Sequence, residues 1–306
     1  MRYVDIKGTD IKASRIALGC MRIGNKSVEE VEELVRTALD LGINFFDHAD
    51  IYGAGASEKV FGEVLKRHPE WRKEMYIQSK CGIVPGVCYD FSQDHILKSV
   101  EQSLKNLNTD YLDVLLLHRP DVLMDPAEVA RTFDILHASG KVRYFGVSNM
   151  NPMQIRLIKK FCHQPIVINQ VQFNLVNAGI MDSGFNVNMK NPESIDHDGS
   201  LLEYCYLHDI TIQPWSILQA SWEEGTFINH PDYQALNDKL EEIGKKYNLD
   251  KVAMSVAWIL RHPSRMQPIA GTTSPEHLKA LAKAGDVKIS REDFYALYKA
   301  GGKKLP

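Results

Sequence analysis

The chain has 306 residues, of which 44% are hydrophobic and 25% are charged, and its formal net charge is −3. This is the composition of a globular protein, and the length is enough to bury a core without disulfides or a structural metal. Positive and negative residues are interspersed and the longest apolar stretches have only the length of a strand, which argues against a nucleic acid or a membrane as partner.

Two short extended runs open the chain, residues 2–7 and 11–18 on either side of Gly8. They predict an N-terminal β-hairpin whose second run leads into the first barrel strand. Strand-like runs then alternate with amphipathic helical stretches. The predicted strand–helix pairs are 43–46 with 57–67, 75–80 with 94–107, 112–118 with 128–139, 143–148 with 153–161, 166–171 with 201–208, 210–214 with two helices at 232–247 and 250–261, and 267–270 with 275–283.

Capping signals support these helices. Ser27 and Glu30 form the pattern of a capping box ahead of a further helix. A cap before a proline at the first helical position is predicted at Asp125-Pro126, Asn151-Pro152 and Ser274-Pro275. The segment 174–200 is rich in Asn, Gly, Asp and Ser and is too long for a routine connection, which predicts a functional loop.

Strand–helix alternation predicts parallel strands joined by right-handed crossovers. Eight such units favour a closed barrel over an open sheet. The predicted fold is therefore α/β, a single (β/α)8 TIM barrel with an N-terminal β-hairpin and extra C-terminal helices. We expect it to form one domain over residues 1–306, because no linker or repeat interrupts the pattern.

Reactive side chains of such barrels lie at the carboxyl ends of the strands and in the loops that follow them. Asp47 and Tyr52 follow the second predicted strand, Lys80 ends the third and His118 ends the fourth. An ammonium near a phenol lowers the phenol's pKa from its usual value of about 10. A carboxylate orients that ammonium, and an imidazole can hydrogen-bond a substrate oxygen. Together the four groups suit proton delivery to a carbonyl oxygen.

Each of these residues alone has an ordinary structural explanation. A lone Asp or Tyr after a strand is more often a turn or capping residue, a lone His118 is more often a structural histidine, and a lone Lys80 is usually solvated. The hypothesis depends on four chemically matched groups at neighbouring strand ends or adjoining loops.

The motifs around these residues resemble the aldo-keto reductase family. The segment 45–53, Phe-Phe-Asp-His-Ala-Asp-Ile-Tyr-Gly, is similar to the family's Asp-to-Tyr signature, with the same spacing of five. Lys80 lies in Gln-Ser-Lys-Cys-Gly and His118 in Leu-His-Arg-Pro, both similar to family motifs. Segment 140–149, Gly-Lys-Val-Arg-Tyr-Phe-Gly-Val-Ser-Asn, is similar to a longer one. The resemblance extends from about residue 11 to residue 300.

This resemblance implies an NAD(P)H-dependent carbonyl reductase that transfers hydride between NADP(H), with NAD(H) as the alternative cofactor, and an aldehyde, ketone or alcohol. Tyr52 would be the general acid, assisted by Lys80 and Asp47, and His118 would position the carbonyl. The residues implied at the nicotinamide are Ser148, Asn149 and Gln170 on its carboxamide and Trp215 stacked on its ring. Those implied at the phosphates and adenosine are Ser216, Leu218, Gly271, Thr272, Thr273, Glu276 and His277.

Three departures from the family pattern qualify these expectations. Residues 215–218 read Trp-Ser-Ile-Leu where many members read Tyr-Ser-Pro-Leu, and the C-terminal tail is short. Gly271 and His277 stand where many members carry a basic residue and an arginine. We therefore expect a preference for NADP(H) over NAD(H), but by a smaller margin than in members with both basic residues.

Other interpretations of single motifs are weaker. Residues 53–57, Gly-Ala-Gly-Ala-Ser, resemble a dinucleotide-binding loop, but the third glycine and the later acid are missing. His48 and Asp50 could begin a metal site, but later strand ends offer Ser, Asn and Gln, which are poor ligands. We interpret both as loop or substrate-facing residues. Cys20 and Cys81 are interpreted as packing residues rather than redox groups.

The non-enzyme alternative is a regulatory subunit that senses the cofactor with little turnover. The intact proton-transfer set favours catalysis. We expect a small-molecule carbonyl substrate and a monomer or small homo-oligomer. The absence of an apolar leader after Met1 and of paired cysteine motifs predicts a cytoplasmic location.

Overall fold

The predicted hairpin opens the computed structural model, which describes residues 1–305. Strands β1 (Tyr3–Asp5) and β2 (Lys12–Ser14) pair antiparallel, and β3 (Ala17–Gly19) follows directly. Apolar hairpin side chains are buried with side chains from inside the barrel in one cluster. This cluster includes Val4, Ile6, Ile11, Ala13, Val114, Leu116 and Ile168. The hairpin therefore closes the N-terminal end of the barrel.

An ion-pair group fastens the hairpin to the barrel. Asp113 is 1% exposed and accepts hydrogen bonds from Arg72 and Arg143, at 2.9 and 3.0 Å. Arg143 also reaches across to Asp10 in the hairpin loop, at 2.6 Å. A buried carboxylate is tolerated here because two guanidinium groups satisfy it.

Eight parallel strands form the barrel. The strands that follow β3 are β4 (Phe45–Asp47), β5 (Tyr76–Cys81), β8 (Leu112–Leu117), β9 (Val142–Ser148), β10 (Ile166–Gln172), β11 (Thr211–Trp215) and β14 (Ile269–Ala270). Their order in the sheet is β11-β10-β9-β8-β5-β4-β3-β14. The backbone N–H of Gln267 donates to the carbonyl of Ile212 at 3.0 Å and joins the two edge strands. The prediction of a (β/α)8 barrel is confirmed.

The helices surround the barrel and pack on its strands. They are α1 (Val28–Asp40), α2 (Ala56–Arg67), α3 (Gln93–Leu107), α4 (Pro126–Ala138), α5 (Pro152–Phe161), α6 (Gly179–Phe185), α7 (Leu201–Leu207), α8 (Gln234–Tyr247), α9 (Lys251–Leu260), α10 (Pro275–Ala282) and α11 (Arg291–Ala300). The Ser27–Glu30 capping box is present, and the three predicted caps before proline accept from backbone N–H groups. No helix in residues 1–305 is long and apolar enough to cross a membrane.

Several short elements were not predicted. Two hairpins extend the loops at the C-terminal end of the barrel, β6 (Ile83–Val84) with β7 (Cys88–Tyr89) and β12 (Gln219–Ser221) with β13 (Gly225–Thr226). The long segment 174–200 contains α6 and a 3₁₀ helix, Pro192–Ser194. Residues 53–55 lie in left-handed conformation directly before α2. They form a tight turn into that helix, and the two glycines there suit positive φ.

Candidate active site

Lys80 lies at the centre of the candidate site, at the end of β5. Its Nζ is 2.8 Å from both carboxylate oxygens of Asp47 on β4 and donates to the hydroxyl of Tyr52 at 3.0 Å. A third bond, at 2.8 Å, goes to the backbone carbonyl of His48. Lys80 has no exposed surface, so all three ammonium protons are used inside the protein. The structure brings the predicted amine, carboxylate and phenol into one group.

The electrostatics of Tyr52 differ from the sequence-based expectation. Burial raises the pKa of Tyr52 above its usual value, and the charge of Asp47 adds to this. Lys80 acts in the predicted, lowering direction but does not outweigh burial. Burial also opposes the charge of Lys80 itself, yet Asp47 and Tyr52 outweigh that effect and raise the pKa of Lys80. The ammonium is therefore a permanent cation beside a phenol that keeps its proton at neutral pH.

His118 lies beside the phenol ring. The two ring centroids are 6.0 Å apart and nearly perpendicular. Burial lowers the pKa of His118 to about 2, and the charges of Lys80 and Arg119 contribute. Its Nδ1 is buried without a hydrogen-bond partner in residues 1–305. A neutral imidazole in this place can exchange a hydrogen bond with a substrate oxygen.

His48 follows β4 directly, as a loop residue would, but its side chain does not face the substrate space. It has no exposed surface, and its ring packs edge-on against Phe61 of α2 at 4.5 Å between centroids. Burial lowers its pKa to about 3, with Lys80 contributing. His48 follows Asp47, the last residue of β4, and the side chains of successive extended residues point to opposite faces. Asp47 faces the barrel interior and His48 the surrounding helices.

Asp50 is also largely buried, and one of its carboxylate oxygens has no partner in residues 1–305. Burial raises its pKa to about 7, and the charge of Glu58 on α2 adds to the shift. A carboxyl group with a raised pKa in the folded state destabilises the fold as pH rises. This cost begins near the unfolded pKa of about 4 and is complete above about pH 7.

We therefore expect Asp50→Asn to raise the free energy of unfolding above pH 7, by about 1.4 kcal/mol for each pKa unit relieved. The gain should disappear as pH falls toward 4. Urea unfolding at several pH values measures it. Asp40→Asn is the control, because Asp40 is exposed at the end of α1. The same gain at pH 4 and pH 8 would contradict the assignment to the buried carboxyl.

The groups expected at the nicotinamide carboxamide meet at the ends of β9 and β10. Asn149 donates to Ser148 Oγ at 2.8 Å, and Ser148 Oγ donates to the backbone carbonyl of Gln170 at 3.0 Å. Asn149 has a positive φ of 57°, which turns its side chain at the strand end. Trp215 donates from Nε1 to Asn149 Oδ1 at 3.0 Å. Four predicted residues thus form one hydrogen-bonded cluster.

The Gln170 side chain uses one end of its amide inside the barrel. Its amide nitrogen donates to Asp47 Oδ1 at 2.9 Å and to Gln213 Oε1 at 3.1 Å. Its amide oxygen forms no hydrogen bond within residues 1–305. Only the oxygen is therefore available to a ligand.

The predicted phosphate and adenosine residues form two separate groups. Ser216 and Leu218 lie directly after β11, where the Ser216 hydroxyl donates to Gln219 at 3.1 Å. The second group surrounds the start of α10, where Ser274 Oγ caps the backbone N–H of His277 at 3.3 Å. A Cβ on Gly271 would meet no atom within 4 Å, so this backbone is open.

The charged residues of this second group are exposed. Glu276 forms an ion pair with Lys279 at 2.7 Å, and His277 is exposed beside it. Thr272 uses its hydroxyl to accept from the backbone N–H of Ser274 at 3.1 Å. Lys279 was not predicted and lies in the last turn of α10.

The structure also adds residues that the sequence analysis missed. Gln78, Gln213 and Gln267 are fully buried and connect Asp47 and Gln170 to the hairpin. The guanidinium of Arg119 lies over the Trp215 ring, 5.6 Å from its centroid. Period-two alternation could have found two of the glutamines, because Gln78 lies two residues before Lys80 and Gln213 two before Trp215.

Comparisons with known proteins find similar proteins over nearly the whole chain. A family model described as the aldo/keto reductase family matches residues 15–301. The oxidoreductase YdhF of Escherichia coli is 38% identical over 299 residues, covering 94% of this chain and 93% of that protein. The 6-dehydroglucose reductase of Agrobacterium fabrum is 33% identical over 302 residues, covering 94% of each. The crystal structure of the thermostable aldo-keto reductase Tm1743, 27% identical, superposes with a TM-score of 0.79, covering 98% of this chain and all of that one.

Proposed function

The chain belongs to the aldo/keto reductase family and is an oxidoreductase, and from this premise we propose that it reduces aldehydes or ketones with NADP(H). The observation that carries the proposal is the contact of Lys80 with both Asp47 and Tyr52. It holds a protonated phenol beside a fixed cation at the carboxyl end of the barrel. That is the end at which barrel enzymes carry out their chemistry.

Tyr52 is the proposed general acid. A carbonyl oxygen that accepts hydride at its carbon gains negative charge, and a nearby O–H can transfer its proton to that oxygen. The Lys80 ammonium stabilises the phenolate that remains, because it already donates to the same oxygen at 3.0 Å. Asp47 keeps the ammonium charged and oriented. His118, neutral because of its burial, hydrogen-bonds the substrate oxygen.

The residues at the ends of β9, β10 and β11 fit a nicotinamide. Ser148 offers a hydroxyl and Asn149 an amide, and Gln170 offers an amide oxygen without a protein partner. Trp215 offers an aromatic face, and its Nε1 bond to Asn149 fixes one edge of the ring. The cofactor, when bound, supplies the hydride. NADP(H) is the cofactor used by this family.

The residues expected at the adenosine end of the cofactor fit a phosphate group, without a guanidinium among them. The start of α10 presents the positive end of a helix dipole, and the open backbone at Gly271 allows close approach. No arginine is among the residues predicted there. A phosphate bound by backbone, hydroxyl groups and partial charges is held less strongly than one clamped by a guanidinium.

Oxidation of NADPH, followed by its absorbance, tests the proposal across a panel of aldehydes, ketones and quinones. The panel should include a 6-aldehydo sugar, because a relative at 33% identity is a 6-dehydroglucose reductase. Turnover that disappears in Tyr52→Phe supports the proposal. Tight NADPH binding without turnover of any member would instead support the regulatory, cofactor-sensing alternative.

Cofactor preference gives a separate prediction. We expect the wild type to prefer NADPH over NADH in kcat/KM, and His277→Arg to raise this ratio by about tenfold. A guanidinium adds a charge-assisted phosphate contact, and a tenfold change corresponds to about 1.4 kcal/mol. Gly271→Lys should act in the same direction, because the position has room for a side chain.

His208→Arg is the matched control, since it adds the same charge at the end of α7, at the opposite end of the barrel. Its cofactor ratio should equal that of the wild type. A wild type that prefers NADH, with Glu276→Ala reversing the preference, would show that Glu276 binds a ribose hydroxyl and that the prediction is wrong.

A further inference from the structure

Four buried glutamines form one hydrogen-bonded chain through the barrel. Gln78, Gln213 and Gln267 are 0% exposed and Gln170 is 3% exposed. Three come from strands β5, β10 and β11, and Gln267 comes from the segment that joins β11 to β14 at the closure of the barrel. A buried amide is costly unless its donors and acceptors are paired. Gln78 Oε1 has no partner in residues 1–305, but the other hydrogen bonds of these four groups show what they hold in place.

The two amide nitrogens nearest the site share the same two acceptors. Gln78 Nε2 donates to Asp47 Oδ1 at 2.6 Å and to Gln213 Oε1 at 2.9 Å. Gln170 Nε2 donates to the same two oxygens, at 2.9 and 3.1 Å. A primary amide has two N–H groups, so every proton is used. The result is a closed ring of two nitrogens and two oxygens.

This ring permits only one orientation of each amide. Turning Gln170 over would place its oxygen against the Asp47 carboxylate and the Gln213 oxygen. Gln213 cannot turn either, because its own nitrogen donates to Gln267 Oε1 at 2.8 Å. Gln267 in turn donates to the backbone carbonyl of Ser14 in β2 at 2.7 Å, and a backbone carbonyl can only accept. The hairpin thus fixes the direction of the whole chain.

We propose that Gln213 and Gln78 are positioning residues for hydride transfer, which hold Gln170 and Asp47 as one unit so that the cofactor-facing amide and the proton-transfer group keep a fixed relation. The proposal rests on the proposed function. Gln213 touches neither Tyr52 nor Lys80 and acts through the two groups that share its oxygen. Gln78 bonds directly to Asp47 and so limits rotation of the carboxylate that orients Lys80.

The first test is Gln213→Met, which keeps the volume and removes both the acceptor and the donor. The Kd for NADPH should rise about tenfold and kcat should fall about tenfold, the usual size of effect for a lost buried hydrogen bond. Gln170 would then be held only by its hydrogen bond to Asp47. The enzyme should also discriminate less against the 3-acetylpyridine analogue of NADP, which lacks the carboxamide NH2.

Gln267→Met is the matched control, equally buried but one bond further from the site. It should lower the Tm and leave the NADPH Kd and kcat within about threefold of wild type, because Gln213 still accepts from both amides. If both variants lower the Tm and neither changes Kd, kcat or the preference against the analogue, the chain has only a structural role and the proposal is wrong. Equal kinetic losses in both variants would also overturn it.

Gln213→Glu provides a test that does not depend on whether the protein folds with a methionine at position 213. A protonated carboxyl can accept from both amides and donate to Gln267, as the glutamine does. An ionised one cannot donate, and it adds a negative charge beside Asp47, the nearest acid, which is itself bonded to Lys80. The ratio of NADPH affinity in the variant to that in wild type should approach one at low pH and fall as pH rises. A ratio independent of pH would contradict the proposal.

These binding measurements are separable from the proposed function. They use NADPH and its analogue without a carbonyl substrate. An inactive wild type that nevertheless shows the expected binding ratios would refute carbonyl reduction and leave the positioning role intact. An active wild type with unchanged binding ratios in the variants would support carbonyl reduction and refute the positioning role.

Discussion

Tyr52→Phe is expected to lower kcat by about 10²–10⁴-fold, the usual contribution of general acid catalysis, and to leave the Kd for NADPH nearly unchanged. The substitution removes the hydroxyl that lies 3.0 Å from Lys80 Nζ and keeps the ring that contacts His118 edge-on. Binding by fluorescence titration and turnover under saturating NADPH separate the two effects.

Tyr76→Phe is the matched control. Its hydroxyl accepts from the backbone N–H of Lys12 at the opposite end of the barrel. Its kcat should stay within about twofold of the wild-type value, as expected of a substitution far from the reacting groups. A Tyr52→Phe enzyme with wild-type kcat would remove Tyr52 from the mechanism, whatever the control shows.

Lys80→Met should lower kcat by at least about 10²-fold, because the phenolate loses its stabilising cation. The pKa of Tyr52 should rise further, since burial and Asp47 already raise it and Lys80 is the group that lowers it. The alkaline fall of the pH–rate profile for reduction should accordingly move to higher pH. Asp47→Asn should have a smaller effect, because the ammonium remains.

Stability must be separated from catalysis in this experiment. Lys80→Met leaves Asp47 buried and without its cation, which typically costs about 3–5 kcal/mol. The double variant with Asp47→Asn removes that uncompensated charge and should recover part of the stability without recovering kcat. A single variant that keeps both the wild-type rate and the wild-type pH profile would disprove the coupling of Lys80 to Tyr52.

The positions of the proposed catalytic residues were predictable for a topological reason. Parallel strands in a barrel end at the same edge, so residues far apart in the sequence meet when each follows a strand. Asp47, Lys80 and Tyr52 do so within 3.0 Å contacts. The pKa of Tyr52 was not predictable in the same way. Its net direction depends on how deeply the phenol is buried, which the sequence pattern does not contain.

Buried polar residues mark a second limit of sequence reasoning. Strands of a parallel barrel are covered on both faces, so their hydrophobic pattern is nearly continuous and does not show which side faces inward. Only the two-residue spacing from Lys80 and from Trp215 could have assigned Gln78 and Gln213 to the interior. The same limit explains why a substrate-facing His48 was considered, although it follows the inward-facing Asp47 and points to the other face.

The short elements of the loops were missed because of their size. Strands of two or three residues, such as those of β6–β7 and β12–β13, are too short to show periodicity. The helix α6 has seven residues and lacks a side-chain cap, so its sequence contains no signal that predicts it. The segment 174–200 was expected to be a functional loop, and that remains a prediction.

The N-terminal hairpin determines the route of protons in the proposed reaction. Ile6 and Ala13 fill the N-terminal end of the barrel with no exposed surface, and glutamine amides above them do not titrate. Tyr52 can therefore regain its proton only from the mouth at the carboxyl end, the same opening through which an alcohol product departs. Release of the alcohol and reprotonation of Tyr52 would then occur in the same step of the catalytic cycle. Slow release of the alcohol would therefore delay reprotonation as well.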